Sequence, residues 1–168
     1  VPIGLDWNTP YTTGQLLTLH RGQVGPGNWD TVALGGVGGD NLRDNIAKGY
    51  SGPIGVSDWI GTEPGKKVGP VDQGFSDRFA AASSMDPSGT YSLHNPLNPR
   101  VVVLPMVDWQ HPNGRGSVQV KAFAQIWVTS SSGGTITGYY VDQVVPNSTP
   151  IGNTAQFHGA RGIPRLIR

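Results

Sequence analysis

Alternation of apolar and polar residues over 117–130 is the sequence feature that most constrains how this chain folds. A period of two sends successive side chains to opposite faces, so it predicts a long β-strand with one face in a core. Residues 135–145 follow a turn of serine and glycine and are predicted to return as the partner strand of a β-hairpin. The inward face is predicted to consist of six aliphatic residues: Val118, Val120, Ala122, Ala124, Ile126 and Val128.

Three shorter segments predict further strands. Residues 15–20 and 29–34 lie between turn-forming residues and are rich in residues that favour strands. Residues 100–107 form an almost continuous apolar run, which is typical of a strand buried on both faces. Because Pro105 cannot donate to a β-ladder, the strand is expected to reach a sheet edge or a bulge there.

Two short helices are predicted between the strands. Asp40 is expected to cap the first helix, which ends at Gly49. The second is expected to begin near Pro70, because apolar residues then recur every four positions, and to be broken by Ser83-Ser84 and Asp86-Pro87. The long Pro-, Gly- and Asn-rich segment that follows, at 86–99, is predicted to be a loop that covers or binds something.

The composition is that of one compact domain. The 168 residues include 25 glycines and 14 prolines, but aromatic and aliphatic runs supply enough apolar surface to order the chain. Twelve basic residues nearly balance eleven acidic ones, so no strong field attracts nucleic acid, and nucleic-acid binding is not expected. The absence of cysteine from the sequence excludes disulfides, zinc–thiolate sites and thiol nucleophiles.

These observations predict a mainly β fold, with α+β as the alternative. We expect a single β-sandwich or barrel-like domain with two short helices and extended terminal arms. The domain is predicted to span residues 1–145. Residues 146–168 are predicted to form a C-terminal arm packed on the domain or on a neighbour.

Candidate catalytic chemistry is sparse. Asp108 and His111 form the most suggestive polar pair, since a carboxylate near an imidazole can orient a base or share a metal. A solvated connection between strands is the favoured interpretation of the same residues, because a metal site needs further ligands. Glu63 and Arg78 are predicted to form a partly buried structural ion pair. No catalytic residue, metal or cofactor is therefore predicted.

Several short turn and strand motifs follow one another over most of residues 2–145. The motif residues with candidate structural roles are Gly27, Asn28, Trp29, Glu63, Pro64, Gly65 and Arg78. The other segments are Pro2-Ile3-Gly4, Leu34-Gly35-Gly36, residues 42–49, residues 99–105, Ala122-Phe123-Ala124 and Gly138-Tyr139-Tyr140-Val141. In this order the motifs resemble the extracytoplasmic part of TadE/TadG-like proteins, which are associated with Flp (tight-adherence) pilus assembly.

The resemblance implies a bacterial cell-envelope location, extracellular or on the cell surface, and a pilin-like or assembly role without catalysis. Members of the family usually carry an N-terminal membrane helix, so contact with a membrane is expected only through such a helix, which this sequence lacks. We expect it either to have been removed or to be missing from a released form of the protein.

Protein–protein contact is the function that these features predict. The chain is expected to be a non-catalytic structural or assembly subunit of a pilus or filament, with protein partners and with self-association into a filament as the leading hypothesis. An exposed strand edge could accept an arm from a neighbour by main-chain pairing. The alternative is a secreted hydrolase or carbohydrate-binding module that uses Asp108, His111 and exposed tryptophans.

Overall fold

The computed structural model describes residues 1–20, 27–109 and 116–144. The chain there is mainly β, as predicted, with seven strands and two helices. The predicted C-terminal arm at 146–168 lies outside the described residues. The strands are β1 Leu5–Asp6, β2 Leu16–Leu19, β3 Asn28–Ala33, β4 Trp59–Pro64, β5 Val101–Val107, β6 Ser117–Ser132 and β7 Thr135–Val144, and the helices are α1 Gly39–Lys48 and α2 Val68–Met85.

The predicted hairpin is the centre of the sheet. β6 pairs with β7 in antiparallel register from Ser132 opposite Thr135, and Gly133 and Gly134 make the turn with positive φ angles of 59° and 75°. β5 lies antiparallel on the other side of β6. Its register shifts directly after Met106, so the irregularity that Pro105 predicts is confirmed one residue later.

The strands close into a barrel-like ring. β4 pairs with the first residues of β6, and β3 pairs with β4. The N-terminal segment then joins both free sides, because Ile3 bridges Thr31 of β3 and β1 pairs in parallel with β5. Ile3 and Leu5 are fully buried, so this extended end packs on its own domain.

The main core lies between the two helices and the inner face of the sheet. Leu42 and Ile46 of α1 and Phe75 of α2 contact the inward residues of β5 and β6 there. The helices meet at Gly74, where an added Cβ would lie 2.7 Å from the Cβ of Ile46. Glycine is thus required inside α2 because it lets the helix backbones approach.

The predicted inward residues of β6 are divided between two hydrophobic clusters. Ala122, Ala124, Ile126 and Val128 pack in the main core, whereas Val118 and Val120 join a second cluster inside the ring. The six predicted inward residues are all buried, but Phe123 and Trp127 of the predicted outer face are buried as well, so neither the strict alternation nor the single continuous face is confirmed. The strand carries an extra residue relative to β5 between Val120 and Ala122, and this bulge separates the two halves.

Two predicted helix boundaries are wrong. Asp40 lies in the first turn of α1, and the N-cap is Gly38, whose amide donates to Oε2 of Glu63 from β4 at 3.0 Å. Helix α2 continues through Ser83 and Ser84, so the predicted break at the serines is wrong, but it ends at Met85, directly before the predicted breaker Asp86-Pro87. The Ser84 hydroxyl donates to the carbonyl of Ala80, which lets a serine remain within the last turn.

Among the described residues, neither helix has the length and apolar character needed to cross a membrane.

Candidate protein-binding edge

Within the described ranges, strand β2 is the last strand on its side of the sheet and pairs with β7 alone, from Leu16 opposite Tyr139 to Leu19 opposite Ile136. The amide of Tyr140 donates to the carbonyl of Gln15, so alternate residues 15, 17 and 19 direct their backbone groups toward β7. The backbone groups of Leu16 and Thr18 therefore point outward, and no described strand pairs with that side. We call this outward side the β2 edge.

An apolar row crosses the outer face of the sheet and ends at the β2 edge. Val101, Trp127, Tyr139 and Leu16 stand opposite one another on β5, β6, β7 and β2. Val101 and Trp127 are buried, whereas the side chain of Leu16 is 58% exposed. An apolar side chain beside unpaired backbone groups is a feature of edges that accept another strand.

The 86–99 loop covers the other end of this row. It contains neither helix nor strand, as predicted. Its Tyr91 stacks on Tyr139 with ring centroids 4.7 Å apart, and its His94 packs against Trp127 at 4.5 Å. The loop thus buries the centre of the outer face, and Leu16 remains uncovered among the described residues.

A buried pair of polar side chains anchors β2 to the rest of the fold. His20 follows β2 directly, and its Nδ1 lies 2.6 Å from Oδ1 of Asp30 in β3. Its backbone amide donates to Oδ2 of the same carboxylate at 2.7 Å, and its Nε2 contacts the carbonyl of Lys66. Both residues adopt positive φ angles, 55° for His20 and 61° for Asp30, which the bulge in β3 accommodates.

The contacts of His20 favour a charged imidazole. Burial by itself would lower the pKa of His20, but the hydrogen bond and charge of Asp30 and the carbonyl of Lys66 outweigh it and raise that pKa. With a proton on each ring nitrogen, Nδ1 donates to the carboxylate and Nε2 donates to the carbonyl. Neither nitrogen is then available as a base, so this pair is structural, in line with the hydrogen-bonding role that the sequence favours.

Of the predicted polar pair, the structure describes Asp108 and not its partner. Asp108 lies just after β5, and its Oδ1 accepts a hydrogen bond from the side-chain amide of Asn8 at 3.1 Å. His111 lies outside the described residues. Across the ranges that the structure covers, no three histidine, aspartate or glutamate side chains are grouped closely enough to hold a metal ion.

The predicted ion pair between Glu63 and Arg78 is wrong. Glu63 is buried and pairs instead with Nζ of Lys67, 3.1 Å from Oε1. Arg78 donates from Nε to the carbonyl of Ile46 and from Nη1 to the carbonyl of Pro99, each at 2.7 Å. Burial lowers the pKa of Arg78 to about 10.

The remaining motif residues belong to the β3–β4 ladder. Asn28 stands opposite Pro64, and the amide of Gly65 donates to the carbonyl of Gly27 at 2.9 Å. Gly65 directly follows β4 and has a φ of 85°. Trp29 is half-buried, and the ammonium of Lys66 lies over its ring. These motif residues therefore hold the ring together.

The five tryptophans divide between core and surface. Trp109 and Trp127 are buried, and Trp29 is half-buried. Trp7 is 40% exposed and Trp59 is 68% exposed. Only these last two present a large ring surface to a ligand.

Comparisons with models of protein families, with curated proteins and with solved structures found no match for this chain.

Proposed function

We propose that this chain is a non-catalytic extracellular or cell-surface domain that acts through protein–protein contacts, as a structural or assembly subunit of a pilus or filament. The location and the pilus association rest on the sequence resemblance to TadE/TadG-like proteins. The mode of contact rests on the β2 edge, where Leu16 and Thr18 direct backbone donors and acceptors away from the fold.

The proposed contact is addition of an extended segment of a second copy to the β2 edge. Leu16 and Thr18 would exchange main-chain hydrogen bonds with that segment, and the exposed Leu16 side chain would be buried beside Tyr139. Such pairing needs no cofactor. The interior of the domain supports the same interpretation, because the buried groups His20, Glu63 and Arg78 are engaged in contacts that stabilise the fold.

A double substitution of the β2 edge tests this proposal. Leu16→Lys with Thr18→Lys places two charges on exposed positions, and lysine on an edge strand opposes the addition of another strand. Because both side chains are exposed, the pairing of β2 with β7 should be kept. We expect the wild-type chain to gain mass with concentration in light scattering and the double variant to remain a monomer. The control is Val37→Lys, which alters a half-exposed apolar residue ahead of α1 and should behave as wild type. A wild-type chain that stays monomeric at high concentration would contradict self-assembly.

The hydrolase alternative requires Asp108 to act in catalysis. The Asp108 carboxylate accepts a hydrogen bond from the side chain of the exposed residue Asn8. We expect the purified chain to release no product from chromogenic esters and glycosides. Turnover that is lost in Asp108→Ala, with an unchanged circular dichroism spectrum, would replace the binding proposal with a hydrolase.

A further inference from the structure

A groove lies between the C-terminal end of α2, the 86–99 loop and the sheet strands that carry Trp127 and Tyr139. Its volume is about 660 Å³, within the range of small-molecule sites. Arg100, Asp86 and Tyr139 are among its lining residues, together with Ser83 and Thr90. The groove therefore combines one cation, one anion, hydroxyl groups and an aromatic wall.

Arg100 is held in a fixed orientation with part of its guanidinium unused. Nη1 donates to the carbonyls of Val128 and Thr129, each at 3.0 Å, and the guanidinium lies 4.2 Å from the ring centre of Phe79. The Nε–H and the two Nη2–H donors have no acceptor among the described residues. Two parallel N–H groups on that edge match the two oxygens of a carboxylate.

No acidic side chain of the described chain neutralises Arg100. Asp86 lines the same groove but forms no ion pair with it, since its oxygens accept the Ser88 hydroxyl at 3.3 Å and the Asn95 amide at 3.4 Å. Among the described residues, Arg100 is held by two backbone carbonyls and the Phe79 ring, none of which carries a negative charge, and partial burial lowers the pKa of Arg100. A bound anion would supply that negative charge.

The other lining groups restrict the kind of anion. Asp86 repels a second negative charge and can accept hydrogen bonds, which disfavours phosphates and polyanions. The hydroxyls of Ser83 and Thr90 can both donate to and accept from a ligand that carries hydroxyls. The stacked rings of Tyr91 and Tyr139 add a flat apolar wall.

We propose that this groove binds a carboxylate-bearing sugar, a hexuronic acid residue of a glycan, with the carboxylate on the Nε–Nη2 edge of Arg100. The sugar hydroxyls lie toward Asp86, Ser83 and Thr90, and its C–H groups lie against the tyrosine wall. This proposal does not rest on self-assembly, because the groove and the β2 edge are formed by different residues.

The probes are methyl β-D-glucuronide and methyl β-D-glucoside, which differ at the carboxylate. They are titrated into the isotopically labelled chain and followed by amide chemical shifts. Because a charge-assisted bidentate pair is lost with the glucoside, we expect its dissociation constant to be about tenfold higher or more. Equal affinity for the two sugars, or no saturable binding of the glucuronide, would overturn the proposal.

Two variants locate the site. Arg100→Gln should weaken glucuronide binding about tenfold. Arg100 also contacts two backbone carbonyls, so its substitution alters the fold as well as the groove. Ser83→Trp provides a second test, because a tryptophan at this exposed position of α2 fills the groove and leaves Arg100 in place. Its control is Ser84→Trp, at the neighbouring position, which does not line the groove. Loss of binding in Ser83→Trp but not in Ser84→Trp supports the site, and unchanged binding in both Ser83→Trp and Arg100→Gln rejects it.

A non-sugar carboxylate distinguishes the ligand class. The α-methylamide of N-acetylglutamate presents a single carboxylate without the ring hydroxyls, so we expect it to bind more weakly than the glucuronide. Binding of this amide as tight as that of the glucuronide would assign the groove to acidic peptides and overturn the sugar proposal. All titrations are repeated in the Leu16→Lys/Thr18→Lys variant, so that a failure of self-assembly cannot be mistaken for a failure of sugar binding.

Discussion

At the scale of single residues, His20 shows how one side chain ties an edge strand to the fold. Its ring and its backbone amide contact the two oxygens of Asp30, and its second ring nitrogen reaches the backbone before α2. The pairing was not predictable from the sequence, because it depends on two residues with left-handed backbone angles and on a bulge in β3. The apolar and polar pattern that predicts a strand indicates neither the backbone angles nor the bulge.

The raised pKa of His20 makes stability depend on pH. A histidine whose pKa is higher in the folded chain stabilises fully below its unfolded value of about 6.5 and loses that contribution as pH rises through the folded value. We expect the free energy of unfolding to fall as pH rises above about 6.5, measured by urea denaturation.

His20→Gln isolates this effect. The variant retains the other histidines, so subtracting its pH profile from that of the wild type leaves the contribution of His20. We expect the variant to be less stable below pH 7 and to show a flatter profile above it. Identical slopes in the two proteins would show that His20 is not charged in the fold.

Partner choice was the least predictable feature at this scale. Glu63 and Arg78 were expected to pair because both are charged and lie near a turn and a helix. The sequence gives no sign that Lys67, four residues after Glu63, would take the carboxylate, or that the amide of Gly38 would share it. Such pairs depend on how distant parts of the chain are placed in the fold. For the same reason, the amide of the N-cap residue Gly38 contacts Glu63 of β4, and Asp40 does not cap α1.

At the scale of elements, strands and helices followed from periodicity far better than their contacts did. The β6–β7 hairpin was indicated by alternation of apolar and polar residues, β5 by its apolar run and the end of α1 by Gly49. The division of β6 between two cores was not, because one extra residue in a ladder leaves the alternation of its sequence unchanged. The bridge from Ile3 to Thr31 likewise has no local signal.

The contact between α1 and α2 can be tested at Gly74. In Gly74→Ala the new methyl group would meet the Cβ of Ile46 at 2.7 Å and the carbonyl of Arg43 at 2.9 Å. We expect a loss of about 1–3 kcal/mol in the free energy of unfolding from overpacking, despite the higher helix propensity of alanine. The measurement is chemical denaturation.

Gly69 of the same helix provides the matched control. No atom lies within 4 Å of a Cβ added there. Gly69→Ala should therefore stabilise the domain by up to about 1 kcal/mol through helix propensity alone. If both substitutions changed stability equally, the close approach of the two helices at Gly74 would be incorrect.

At the scale of the whole molecule, the strands that the structure describes leave one edge unpaired and close the others. The N-terminal segment joins β3 to β5 and closes the ring, and β7 has β2 on its outer side. The edge then remains at β2, where the exposed Leu16 ends an apolar row. An exposed strand edge was expected from the sequence, but which strand would form it was not, because strand order depends on long-range pairing.

Hydrogen exchange of the backbone amides of β2, followed by NMR at low and high protein concentration, tests the central claim most directly. Leu17 and Leu19 face β7 and should be protected at both concentrations. Leu16 and Thr18 face outward, so their amides should exchange rapidly in the dilute chain and slowly in the concentrated one. Rapid exchange of both amides in samples that have assembled would contradict strand addition at the β2 edge.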